Sequence, residues 1–439
     1  MGTLSLAAQL ILSLSILVIL HECGHFFPAR WFNTRVEKFY LFFNPGFSLF
    51  KKQIGETEYG IGWIPFGGYV KIAGMIDESM DTEQLEAEPQ PWEFRSKPAW
   101  QRLIIMLGGV TVNFILGFLI FAGMLWYYGT SYIQNTEAQY GVIPTEIGNQ
   151  IGIQKGDKII SIGDVKFEKF NPGIVSQEIV LNDPEFLVVN RNGQNVNLTI
   201  PERMAETLTK HKNKGVGLFN LNWPQEVIEV ASESLAEKIG LQKGDRIIGV
   251  DTFDTHQLVD FSRAIQNRKN TSVDLTIQRG PEKLIKKASF NESGVLGVSN
   301  KIIKISKRRF TFAEAIPGGY NKSIGFLKTQ FKAFGRMFSG KIKAKDSLGS
   351  VFSIATMFDK GWNWEVFWNI TASLSILLGF FNLLPIPALD GGYVMFLLWE
   401  VITGRKPNDK FMEYATMVGF FILIGLMIFA IGLDISKWI

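Results

Sequence analysis

The chain has 439 residues, 46% of them hydrophobic, and a formal net charge of +4. That small positive balance argues against a nucleic-acid partner, which calls for a strongly basic surface, and a single cysteine, Cys23, excludes an intramolecular disulfide. The hydrophobic residues gather in long blocks near both ends, around a middle (roughly residues 130–360) of ordinary soluble composition.

The first block, Leu4 to Phe27, is long enough to cross a bilayer, which takes about 20 residues. It lacks the positive start and small-residue cleavage site of a secretory signal, so a retained membrane helix is expected. Near its end stands His21-Glu22-Cys23-Gly24-His25. On a helix, residues four apart share a face, so both imidazoles can reach one metal ion. Glu22 follows the first imidazole directly and can act on an attacking water. Three ionisable side chains at the end of an apolar span mark a functional site. The competing reading is that the span ends at Leu20 and the cluster is its wet end.

A second span, Leu103 to Tyr128, carries no charge. The middle that follows contains a repeat: Gly152-Ile-Gln-Lys-Gly-Asp-Lys-Ile-Ile160 returns as Gly240-Leu-Gln-Lys-Gly-Asp-Arg-Ile-Ile248. Each copy has strand-like stretches nearby, Phe186–Asn190 and Val273–Ile277, and the Gly-Asp pair suits a tight turn before a buried strand. Two copies of one small domain are expected, since the spacing is too long for a solenoid. Further on, Ile324, Leu327, Phe331, Phe334 and Phe338 share one helical face and Lys328, Lys332 and Arg336 the other. Such a helix suits a membrane surface or a packed seam.

The third span, about Val366 to Val401, is interrupted by Pro385, Pro387, Gly391 and Gly392. The two prolines remove backbone donors and break the helix. Irregular backbone at membrane depth is tolerated only inside protein or beside a wet cavity. Asp390 lies in this interruption. A catalytic zinc site takes three protein ligands and leaves one position open. Asp390 is a better third ligand than His211 or His256, which lie in the soluble middle. The competing reading pairs Asp390 with a basic residue of the next loop. A fourth span runs from Phe411 to Leu433. Arg30, Arg35, Arg95, Lys97 and Arg102 flank the first loop, and Arg405, Lys406 and Lys410 occupy the last. This bias puts both loops in the cytoplasm, and the termini and central region outside.

The H-E-x-x-H of the first span, together with Asn382-Leu-Leu-Pro-Ile-Pro-Ala-Leu-Asp-Gly391, resembles the site-2 protease family of intramembrane zinc metalloproteases. The doubled Gly-Leu-x-x-Gly-Asp pattern resembles PDZ domains and points to the bacterial branch that regulates sigma-E. Gly62-Trp-Ile-Pro-Phe-Gly-Gly-Tyr-Val-Lys71 is similar to the membrane-associated β-hairpin of that branch, and Arg102 to Phe114 to its second-span motif. There the usual Gly-Pro is Gly109-Val110. Two loops also depart from the pattern, at Phe42-Phe-Asn-Pro-Gly46 and Gly349-Ser-Val-Phe-Ser-Ile354. They leave the inferred ligands untouched and put loop shape and substrate preference in question.

The resemblance implies a polytopic α-helical membrane protein with four transmembrane helices, one of them broken, a membrane-associated β-hairpin region and two α+β PDZ-like domains. The expected segments are a first helix at 1–30, a β loop region at 31–101 and a second helix at 102–128. PDZ-like domains follow at 129–210 and 211–300, then an amphipathic connection at 301–360. The broken third helix spans 361–403, and the last loop and helix 404–439. One zinc ion per chain would be held by His21, His25 and Asp390, with Glu22 as catalytic base. Asn382 is the first candidate for a substrate-contacting amide and Asn113 the second; for Asn113 a helix-packing hydrogen bond is an equal reading. Gly67, Gly68 and Tyr69 would offer a strand edge to an unwound substrate.

Expected partners are the lipid bilayer and single-span membrane proteins, namely an anti-sigma factor after a first cleavage or signal-peptide remnants. The expected location is the bacterial inner membrane, with the PDZ-like pair periplasmic and acting as a size filter, and the active site toward the cytoplasm. An inactive PDZ scaffold, a zinc transporter or sensor, and a tethered protease for soluble peptides are the alternatives.

Overall fold

A computed structural model describes residues 2–75, 88–213, 215–223, 225–255, 258–266, 268–300, 303–347 and 349–438. The chain forms two compact units. One comprises Met1–Thr130, Arg309–Phe334 and Ser347–Ile439; the other comprises Ser131–Arg308 and Gly335–Asp346.

The first unit is built on helices α1 (Gly2–Trp31), α2 (Ala99–Tyr127), α3 (Phe312–Phe338, whose last residues belong to the second unit), α4 (Trp364–Asn382), α5 (Asp390–Thr403) and α6 (Asp409–Trp438). Among the described residues, four helical stretches are long and apolar enough to cross a membrane: Gly2–Trp31, Ala99–Tyr127, Trp364–Asn382 and Lys410–Ser436. Local chemistry sets the ends of α4 and α5. Asn363 caps α4 by accepting from the Glu365 and Val366 amides. α4 stops at Asn382, just before the two prolines, and α5 starts at Asp390. Between them Ala388 takes φ +85°, a conformation costly for any residue with a Cβ.

The helices approach closely because glycines face one another. A Cβ on Gly24 of α1 would lie 2.5 Å from the Gly108 carbonyl of α2, and one on Gly108 would lie 1.8 Å from the Gly24 carbonyl. In an apolar solvent there is little hydrophobic drive between helices, so such small-residue contacts let backbones meet. Ser13 and Thr371 share a buried hydrogen bond of 2.9 Å between α1 and α4. Ala29, Val36, Ile72, Phe94, Ile105, Met106, Val394 and Leu397 form the core around the C-terminal end of α1, the N-terminal part of α2 and α5. The helix α3 begins well before its predicted apolar stripe. It packs Phe326 and Leu327 against Phe121 and Ile376, and Phe334 against Phe380 and Phe381.

Between α1 and α2 lie strands β1 (Val36–Phe43), β2 (Phe50–Ile54), β3 (Thr57–Ile61) and β4 (Ile64–Ile72). The sequence suggests a hairpin here, and the structure has a four-stranded sheet of order β2-β3-β1-β4. Only β2 and β3 form a simple hairpin; β1 runs parallel to β3 and antiparallel to β4. The parallel pair hides from sequence reading because the whole of β2 lies between its two strands in the chain. Gly67, Gly68 and Tyr69, expected to offer a strand edge, belong to β4 at the edge of this sheet.

The second unit holds two modules with matching anatomy. In each a short helix (Glu146–Ile151 or Leu235–Lys238) leads through the Gly-Asp turn into a central strand (Lys158–Ile162 or Arg246–Val250). Each central strand pairs with the first strand of a following hairpin. The expected boundary at 210/211 moves. Phe219–Leu221 pairs with Val142–Pro144, and Leu218 and Phe219 lie in the first core, so the first module continues to Leu221. That returning strand has three residues, too few for a periodicity. The second module closes when Val298–Asn300 pairs with Gln225–Val230.

Candidate metal centre

The site lies where α1, α2, α5 and β4 meet, within the first unit. The helical spacing of His21 and His25 turns both rings to one side, with Nε2 atoms 3.2 Å apart. The first turn of α5 brings Asp390 from across the sequence. Its Oδ2 stands 3.3 Å from Nε2 of His21 and 3.4 Å from Nε2 of His25. That oxygen is buried and makes no hydrogen bond. Two ring nitrogens and an orphaned carboxylate oxygen, all within 4.8 Å of one another, suit a shared cation. Among the described residues they are the group of histidine, cysteine and acid side chains able to hold a metal. His211 lies on the second unit, and His256 is outside the described residues.

What surrounds the two histidines sets their orientation. Nδ1 of His25 donates to the Ile105 carbonyl at 2.9 Å, since a carbonyl can only accept. That places the ring proton on Nδ1 and leaves Nε2 a bare lone pair. Gly109 gives the rings their room: a Cβ there would stand 2.3 Å from Nε2 of His25 and 2.6 Å from Cε1 of His21. The Glu22 carboxylate accepts from the Val70 amide of β4.

The cluster opens on a cavity of about 900 Å³. Glu22, Asn382, Asp390, and β4 residues Gly67, Gly68 and Tyr69 line it, with Thr416 and Phe420 of α6 on another wall. Asn382 Nδ2 lies 3.2 Å from Nε2 of His21. Tyr69 is stacked on Tyr40 at 5.3 Å and donates to Asn44 Oδ1 at 2.9 Å, so its ring is held by the sheet. Asn113 departs from the sequence expectation of a substrate contact: it is buried behind His21, with Nδ2 2.9 Å from His21 Nδ1, and does not line the cavity.

Sequence reasoning placed Gly109 in the second-span motif without a role beside the histidines, and it missed Ile105, because neither carries a reactive group. For Gly109 the glycine pair inside an otherwise bulky span was a signal of close approach; Ile105, one apolar residue among many, had none.

The sequence profile described as Peptidase family M50 matches residues 9–426. The chain belongs to that family, the site-2 proteases. A Rickettsia conorii protein whose name describes a zinc metalloprotease is 28% identical over 446 residues, covering 97% of each chain. The regulator of sigma-E protease of Escherichia coli strain K12 is 27% identical over 455 residues, 98% of each chain. Its Salmonella typhimurium counterpart is 27% identical over 452 residues, again 98% of each. Family membership and the four apolar helices together make this chain a zinc metalloprotease of the multi-pass membrane type.

Proposed function

We propose that this protein is an endopeptidase that cuts the transmembrane segments of single-span membrane proteins, with His21, His25 and Asp390 holding one zinc ion per chain and Glu22 as general base. The observation that carries this reading is the unpartnered Asp390 oxygen set against two histidine nitrogens on the wall of a cavity between apolar helices. Bound there, zinc supplies Lewis-acid activation of water and of the scissile carbonyl. Glu22 takes the proton of the attacking water and delivers it to the leaving amine. The Val70 amide of the neighbouring strand gives that carboxylate a main-chain donor.

A helical substrate conceals its peptide bonds and has to unwind before cleavage. An edge strand on the cavity wall supports pairing of the extended segment beside Gly67, Gly68 and Tyr69. Asn382, on the same wall, is suited to donate to the oxyanion that develops at the scissile carbonyl. The names of the Escherichia and Salmonella relatives support an anti-sigma factor as one substrate, and remnant signal peptides are chemically equivalent single spans. The two repeated modules of the second unit fit PDZ domains facing the periplasm, where they exclude substrates with large outer domains. The basic residues of the short loops support an inner-membrane protein with its site toward the cytoplasm.

The test is proteolysis of a single-span substrate by purified protein in liposomes, with product termini mapped by mass spectrometry. New termini inside the apolar segment are expected. Glu22→Gln should retain zinc and lose cleavage by at least about 10²-fold. Full cleavage by Glu22→Gln would remove the base assignment. Termini confined to soluble flanks would favour a tethered protease for soluble peptides.

A further inference from the structure

The two histidines are oriented by different means. A main-chain carbonyl faces Nδ1 of His25 and can only accept, so that ring has one possible tautomer. A side-chain amide, that of Asn113, faces Nδ1 of His21 at 2.9 Å. An amide has a donor end and an acceptor end of nearly the same shape, and so can support either tautomer. With Nδ2 toward the ring, as the structure has it, Nδ1 accepts and the ring proton sits on Nε2. That proton occupies the lone pair a metal requires. With Oδ1 toward the ring, Nδ1 donates and Nε2 is bare. The two states differ by a half-turn of the amide and no displacement of the backbone.

Asn113 is built for this position. It is completely buried, and its Oδ1 has no hydrogen-bond partner. Its own carbonyl accepts from the Ser375 hydroxyl at 2.7 Å, which ties this turn of α2 to α4. A buried acceptor left unpaired is costly, and the half-turn of the amide that brings Oδ1 to the place of Nδ2 sets it against Nδ1 of His21, which can donate.

We propose that Asn113 is a positioning residue for the metal site, whose Oδ1 accepts from Nδ1–H of His21 and thereby holds that ring in the tautomer that presents Nε2 to zinc. The assignment rests on His21 being a zinc ligand. It differs from a substrate contact, which the position behind the ring does not permit, and from a plain helix-packing hydrogen bond, which would be indifferent to zinc.

The test is zinc affinity of the full-length protein in detergent, measured by competition with a chromogenic chelator. Asn113→Asp, which offers an acceptor at both ends, should bind zinc at least as tightly as wild type. Asn113→Leu, of similar size without an acceptor, should bind about 10–100-fold more weakly. Ser375→Ala, which loosens the same turn without facing His21, should leave affinity unchanged. Should the leucine variant not fold, Asn113→Ala takes its place with the same expectation. Wild-type affinity in the leucine or alanine variant overturns the proposal, as does equal weakening by aspartate and leucine. A wild-type protein that binds no zinc overturns instead the ligand assignment beneath it.

Discussion

Gly108 and Gly109 are neighbours with different tasks. A Cβ on Gly108 would meet the backbone of α1, which cannot give way, whereas a Cβ on Gly109 would meet the ends of the two imidazole rings, which can swing. Gly109→Ala should therefore leave a folded protein with a displaced ligand pair. Displacement of a reacting group by about 1 Å costs on the order of 10²-fold in rate, and cleavage should fall by about that factor while the melting temperature holds. Gly108→Ala should instead lower the yield of folded protein, read by size-exclusion chromatography. The second unit has a residue-scale device of its own. Asp157 accepts a two-pronged bond from Arg191, and Asp245 accepts one from Arg279, both at 2.7–2.8 Å, and each arginine also reaches the carbonyl of Gly152 or Gly240. Burial by itself pushes the Asp245 carboxyl up, but Arg279 and the Gln242 amide outweigh it and hold the carboxyl below its ordinary value of 3.8. A depressed folded-state value means that the unfolded chain binds the proton more readily. This contribution is thus present in full above pH 3.8 and is lost as pH falls below it. Asp245→Asn should destabilise the second module by about 2 kcal/mol at neutral pH. It should also blunt the module's acid sensitivity, both read by hydrogen exchange over residues 225–300.

At the scale of elements, β4 does two things for the site. It supplies the Val70 amide to Glu22, and it leaves its outer edge along the cavity. Gly68 permits this, since a Cβ there would stand 2.6 Å from Val18 of α1 and 2.7 Å from the Tyr40 carbonyl. Gly68→Ala should push β4 from α1 and lower cleavage at least tenfold with zinc content unchanged, because the three candidate ligands sit on α1 and α5. Loss of zinc in that variant would place the strand in the metal site and remove its separate role. The elements differ in how plainly the sequence announced them. The membrane helices were legible because bilayer thickness demands long apolar runs, and Asp390 stood out because an acid is costly in such a run. The start of α3 was not legible, since Pro317, Gly318 and Gly319 break its periodic pattern while Gly319 lies tight against Ala122 of α2. The link between Asp434 of α6 and the hydroxyls of Ser350 and Ser353 was equally hidden, because nothing local ties a serine to an acid that far along the chain. The arginine partners of the two Gly-Asp turns had a signal in the sequence: both follow their aspartate at the same offset, beyond the reach of the nine-residue repeat.

For the whole molecule, all the candidate chemistry lies in the unit that contains the apolar helices, while the repeated modules form the other. The chain enters the second unit through Thr130–Ile133 and leaves it through Ile305–Arg308, and these strands pair with each other. The two ends of the excursion are therefore adjacent, and a short linker can replace residues 134–304. Such a deletion should keep zinc binding and cleave substrates whose outer domains have not been trimmed. A folded deletion protein that still rejects intact substrates would contradict the filter role. The claim on which the account rests is that one zinc ion is held by ligands nearly the full length of the chain apart. Metal analysis of purified wild type beside Asp390→Ala tests it most directly. One zinc per wild-type chain and a loss of nearly all of it in the variant is the predicted result; equal zinc in both proteins would contradict the site.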